Sequence, residues 1–217
     1  MKRIGILSVT FAAMLAVACE GRRDNDVNRP ANDTAAVGTA GERTAAADRD
    51  LSGTSRTWLE DMIAGNMSEV KLGETAEQKA QSPEVKAFAQ MLVRDHSMAV
   101  DQLKEIASKH NVTAPVELPD AHRDTMERLS KVQGGEFDRD FMNAMVDKHE
   151  KTLGKLEDRL DKEGDNDNPI YLPKKTDNAA DMELNQWAAK MVPTVRQHLE
   201  RARQLDQKLE RSTTDAR

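Results

Sequence analysis

Four stretches of this chain carry apolar side chains at alternating steps of three and four residues. That spacing puts them on one face of a helix and demands a partner to cover the face. The first stretch, from about Ser52 to Ala80, reads Trp58, Met62, Gly65, Leu72, Ala76, Ala80. The second, from Ser82 onward, reads Val85, Ala89, Leu92, Ala99, Leu103, Ile106. The third, from about Glu136 to Glu163, reads Phe137, Phe141, Met145, Leu153, Leu156, Leu160. The fourth, from about Asp177 to Arg211, reads Trp187, Met191, Val195, Ala202, Leu205, Leu209. Four such helices close into an all-α four-helix bundle. Composition agrees: aromatic residues are only 3% of the 217, and Ala, Leu, Met, Glu, Lys and Arg dominate.

The punctuation between the stripes fits the same reading. Ser82 can cap a helix whose first residue is Pro83, where the missing N–H would have no partner. The tight turn near Gln81 makes the first two helices antiparallel neighbours. Asn111 to Pro119 is a loop, and Asp120 is expected to cap a short extra helix reaching Val132, interrupted by Gly134-Gly135. Gly164 to Lys175 reads as a polar loop. Pro193 falls inside the last helix and should kink it.

Each stripe is broken near its middle by one ligand-capable side chain: Glu69, His96, His149 and His198. Glu69 lies about 12 residues before the Gln81 turn and His96 about 15 after it, so both are roughly 18–22 Å from the turn and can be level. A buried carboxylate is costly unless paired, hydrogen-bonded or metal-bound. Two solutions satisfy three imidazoles around one carboxylate. One is a single divalent transition metal ion with a His₃Glu shell, since imidazole suits Zn, Cu, Fe and Ni. The other is a metal-free Glu–His network that sets helix register. The sequence leaves both open. Asp95 and Glu150, next to two of the histidines, are candidate outer partners. Met62, Met145 and Met191 share the stripes, but methionine is a common gap filler in cores poor in aromatics. His110 is read as a cation at a helix C-terminus.

The ends of the chain say where it works. Lys2 and Arg3 precede an apolar run, Ile4 to Val17, too short to span a bilayer comfortably. Leu15-Ala16-Val17-Ala18-Cys19 resembles a bacterial lipobox, although Ala16 stands where Leu is usual. The resemblance implies residues 1–18 as a signal peptide, lipidation at Cys19, and sorting to the outer membrane because Glu20 is not Asp. Cys19 is the only cysteine, which excludes internal disulfides and Cys-cluster metal sites. Residues 19–50 lack aromatics and periodicity, so they read as a disordered tether reaching roughly 30 Å on average. Residues 51–211 are the domain and 212–217 a tail. The formal net charge of −6 argues against a nucleic-acid partner. The membrane is reached only through lipid, and a monomer is expected because bundle formation covers every long stripe.

The segments Ser68-Glu69-Val70-Lys71-Leu72-Gly73, Val85 through His96, Phe137-Asp138-Arg139-Asp140-Phe141-Met142 with His149, and Pro193-Thr194-Val195-Arg196-Gln197-His198-Leu199 together resemble one family. It is the domain of unknown function family numbered 4142, of bacterial envelope proteins placed in the ferritin-like superfamily. The resemblance covers about residues 52–210 and implies a ferritin-like bundle in the cell envelope, but no defined activity. Ferritin-like di-iron proteins use Glu-x-x-His on two helices. Here Val93 and Val195 stand three residues before His96 and His198, which argues against a six-ligand di-iron oxidase. The expected role is therefore a metal-binding module rather than an enzyme, or an envelope interaction protein with a structural polar core.

Overall fold

The computed structural model describes residues 50–165 and 169–214, all within the compact unit Thr39–Arg217. The expected signal peptide, Cys19 and nearly all of the tether lie outside the described residues. Among these residues there are five helices: α1 Gly53–Lys79, α2 Pro83–Lys109, α3 Asp120–Ser130, α4 Gly134–Glu157 and α5 Ala179–Thr214. The fold is the all-α bundle that the stripes require, with α1 packed along α2, α4 along α5, and short α3 lying against α1 and α4. No helix among the described residues is long and apolar enough to cross a membrane.

Local chemistry sets the helix ends. Ser52 Oγ accepts from Ser55 N, and Ser82 Oγ accepts from Val85 N ahead of Pro83. Both carboxylate oxygens of buried Asp138, on α4, accept from Gln81 N and Ser82 N at 3.0 and 2.8 Å. The α1–α2 turn is thereby tied to the opposite helix pair. Asn178 Oδ1 accepts from Asp181 N and starts α5. Asp120 is the first residue of α3 rather than its cap; Pro119 occupies the cap position without a side-chain bond. Gly134 opens α4 at φ +65°, a conformation open to glycine, so Gly134-Gly135 begins the helix instead of interrupting an earlier one.

The expected third helix stops short. Leu160–Glu163 is β1, paired antiparallel with β2, Ile170–Pro173, where a polar loop was expected. Arg159 explains the break. Its guanidinium bonds Asn185 Oδ1 and Ser55 Oγ and lies over the Trp58 ring, holding the chain at an angle to the helix. Ile170 and Tyr171 supply the β preference on the returning strand. Leu160 is buried, as its place on the stripe implied, but from a strand. At the other end α5 continues through Pro193 and on to Thr214, past the expected Arg211.

The core falls into two apolar clusters. One holds Leu59, Ile63, Ala99, Leu103, Leu156, Val192 and Val195. The other holds Leu72, Leu92, Phe137, Phe141, Met145, Ala202 and Leu205. On every long helix the boundary between them falls at one of the four stripe-breaking residues. The level at which Glu69, His96, His149 and His198 sit is thus a polar layer between two apolar ones.

Candidate metal centre

Each long helix contributes one side chain to that layer. Glu69, His96, His149 and His198 are all buried, none more than 4% exposed. The three imidazole rings stand 5.4–5.5 Å apart, centroid to centroid. One ligand nitrogen from each lies within 4.8 Å of the other two. Glu69 Oε2 is 3.0 Å from His96 Nε2 and 3.5 Å from His149 Nε2, and His149 Nε2 is 3.4 Å from His198 Nδ1. The three histidines converge, and Glu69 lies against two of them, His96 and His149.

Outer partners decide which way the rings face. Asn66 Nδ2 donates to Met62 O, so the amide oxygen must be the atom 2.7 Å from His96 Nδ1. An acceptor there assigns the proton to His96 Nδ1. His149 Nδ1 donates to Met145 O at 2.8 Å, and His198 Nε2 donates to Asp95 Oδ2 at 3.0 Å. A neutral imidazole has one donor and one acceptor. The inner atoms His149 Nε2 and His198 Nδ1 are therefore bare lone pairs, while His96 Nε2 faces the Glu69 carboxylate. The two lone pairs lie 3.4 Å apart, with no hydrogen donor between them. Glu69 Oε2 and His96 Nε2 are both buried and stand 3.0 Å apart, and neither has another hydrogen-bond partner.

The protonation states follow the same layout. Burial alone opposes charge on Glu69, yet the His96 and His149 rings and the Lys148 ammonium hold its carboxyl well below the usual range. Burial pushes His149 down, and His96 and Lys148 add to it against the pull of Glu69. His198 is pushed down to about 4, first by burial and then by the neighbouring imidazoles, against Asp95. Burial works against charge on Asp95, but Arg94 and His198 outweigh it and keep it ionised. At neutral pH His149 and His198 are unprotonated, as metal ligation requires.

The residues present therefore fit a metal ion. An electron-rich pocket with orphaned inward atoms asks for a cation, and each histidine has the outward acceptor typical of ligating imidazoles. A void of about 10 Å³ beside His96 and His198 is walled by Met62, Trp187, Met191 and Val195. That is room for about one water.

Of the two expected outer partners, Asp95 serves His198 across the bundle and not its neighbour His96. Glu150 does not take part, since it points to the surface and binds Arg203. Successive helix residues diverge by about 100°, so adjacency in sequence separates such pairs. Asn66 was missed, although it lies one turn before Glu69 on the same face. His110 caps α2 and meets Glu183 Oε2 at 2.8 Å, a specific ion-pair geometry beyond the helix dipole.

A model of the family described as domain of unknown function (DUF4142) matches residues 40–168, more than half of the sequence. The chain belongs to the DUF4142 family. The DUF4142 match includes Glu69, His96 and His149, whereas His198 lies on α5 beyond it. No curated protein matches the sequence. Among solved structures the fold is similar to CopM in its Cu(II)-bound form, with a TM-score of 0.54 at 18% identity. That match covers 70% of this chain and 95% of CopM.

Proposed function

We propose that this protein binds one divalent transition metal ion through Glu69, His96, His149 and His198. The observation that carries the reading is the convergence of three buried imidazoles, each held by an outward acceptor, with the Glu69 carboxylate against two of them. When bound, the ion supplies the positive charge that this pocket lacks. The protein's residues hold the imidazoles in their ligating tautomers and exclude water. Cu(II) is the first ion to test. Imidazole–carboxylate sites bind it most tightly among first-row divalent ions, and CopM offers a similarly folded Cu(II) binder. The role is binding, storage or sensing, with room for about one water beside His96 and His198.

The same proposal takes the chain to the bacterial envelope, anchored on the periplasmic side through lipidated Cys19, as a monomer kin to ferritin-like bundles. Cys19→Ala should then release it from membranes.

Copper titration of the purified chain, followed by electron paramagnetic resonance, tests the site. One equivalent with nitrogen hyperfine coupling is expected, lost in His149→Ala. No stoichiometric binding of Cu, Zn, Ni or Fe ions would leave the alternative, a structural Glu–His core in an interaction protein. That alternative predicts that replacing all four residues together by apolar ones preserves function.

A further inference from the structure

A second cavity, of about 130 Å³, lies on the other side of Glu69, between α1, α3 and α4. Its walls carry more positive than negative charge. Lys148, Lys151 and Lys155 reach it from one face of α4, where steps of three and four bring them together, and the His122 ring faces it from α3. Only Asp61 and Glu69 oppose them. Asp61 is engaged by Lys155 at 3.6 Å, and Glu69 Oε2 lies toward His96 Nε2 and His149 Nε2, at 3.0 and 3.5 Å. Lys148 also feels the Glu69 charge, but its one hydrogen bond is weak, to Ser68 Oγ at 3.4 Å. Among the described residues no carboxylate lies within ion-pair distance of Lys148 or Lys151, and His122 has no side-chain hydrogen-bond partner.

We propose that this cavity binds a small oxyanion or carboxylate, held by the Lys148 and Lys151 ammonium groups and by the His122 ring. Half-buried Lys148 is the central donor, because an ammonium withdrawn from water gains most from a charge-assisted hydrogen bond. The volume suits an anion the size of phosphate or acetate and is too small for a nucleotide or peptide. The anion would lie beside Glu69, so its charge would be felt at the histidine layer. The site itself uses no metal, and it stands or falls separately from the metal reading.

The test uses the full chain, freed of metal by chelator, in sodium phosphate, sulfate or acetate against sodium chloride at matched ionic strength. Expected is a saturable rise in melting temperature with at least one of the three, together with a shift of the His122 ring resonances. Lys148→Met, which removes a half-buried charge and leaves the helix intact, should abolish both. Equal behaviour in all four salts, or an undiminished effect in Lys148→Met, would overturn the proposal.

Discussion

At the scale of single residues, the site depends on hydrogen bonds one step out from it. The Asn66 amide has its two ends committed, one to Met62 O and one to the His96 ring. Asn66→Ala releases that ring to turn or change tautomer. Metal affinity should fall about ten- to a hundredfold, while stability drops by only about 1–3 kcal/mol for one lost buried hydrogen bond. A competition titration against a chromophoric chelator, with a denaturation curve beside it, separates the two effects. His198 makes a pH prediction for the metal-free protein. Its folded value is about 4 against an ordinary 6.5. As pH falls below 6.5 the unfolded chain takes up a proton that the folded chain refuses until about pH 4. Stability is then lost as pH falls through that window, by up to about 3 kcal/mol. His149, also pushed down, acts in the same direction. Urea melts at several pH values should show the slope, and His198→Gln should flatten it.

At the scale of elements, the close approach of α1 to α2 rests on Gly73. A Cβ there would lie 2.7 Å from Val93 Cγ2 and 3.1 Å from Ala89 O. The carbonyl cannot move without moving its helix, so Gly73→Ala should cost about 1–3 kcal/mol, read as a lower urea midpoint with an unchanged slope. Asp138 performs a different task, joining the α1–α2 turn to α4 through two backbone N–H groups. Asp138→Ala takes the acceptor from those part-buried donors and should cost about 1 kcal/mol. Element types were largely legible beforehand, because stripe spacing follows from helix geometry alone. The hairpin was not. Leu160 is apolar at a helical step from Leu156, so periodicity ran on through it. Arg159, engaged with Ser55, Asn185 and Trp58, none of them near it in sequence, ties the chain down where the helix ends.

At the scale of the whole molecule, the polar layer divides the core, and both apolar clusters draw on all four long helices. The four helices therefore cannot slide past one another without moving a charged or imidazole group into hydrocarbon. The described bundle begins at Asp50, whose carbonyl accepts from Asn178 Nδ2 at the start of α5. A chain beginning at Asp50 should match the urea midpoint of the full-length protein and retain its metal stoichiometry.

The sequence by itself determined the long helices, the bundle and the buried places of Glu69, His96, His149 and His198 within it. A side chain breaking an apolar stripe must be buried wherever the stripe is, and helix periodicity needs no knowledge of neighbours. It also carried the family signature. What only the tertiary structure decided is the orientation of those groups. The proton positions on His96 and His198 depend on Asn66 and Asp95, contacts made between helices rather than along one, while His149 takes its proton position from Met145 O, one turn back on its own helix. Spacing along a helix places a ring in a core. Which of its nitrogens is bare is set by the acceptor that happens to face the other one.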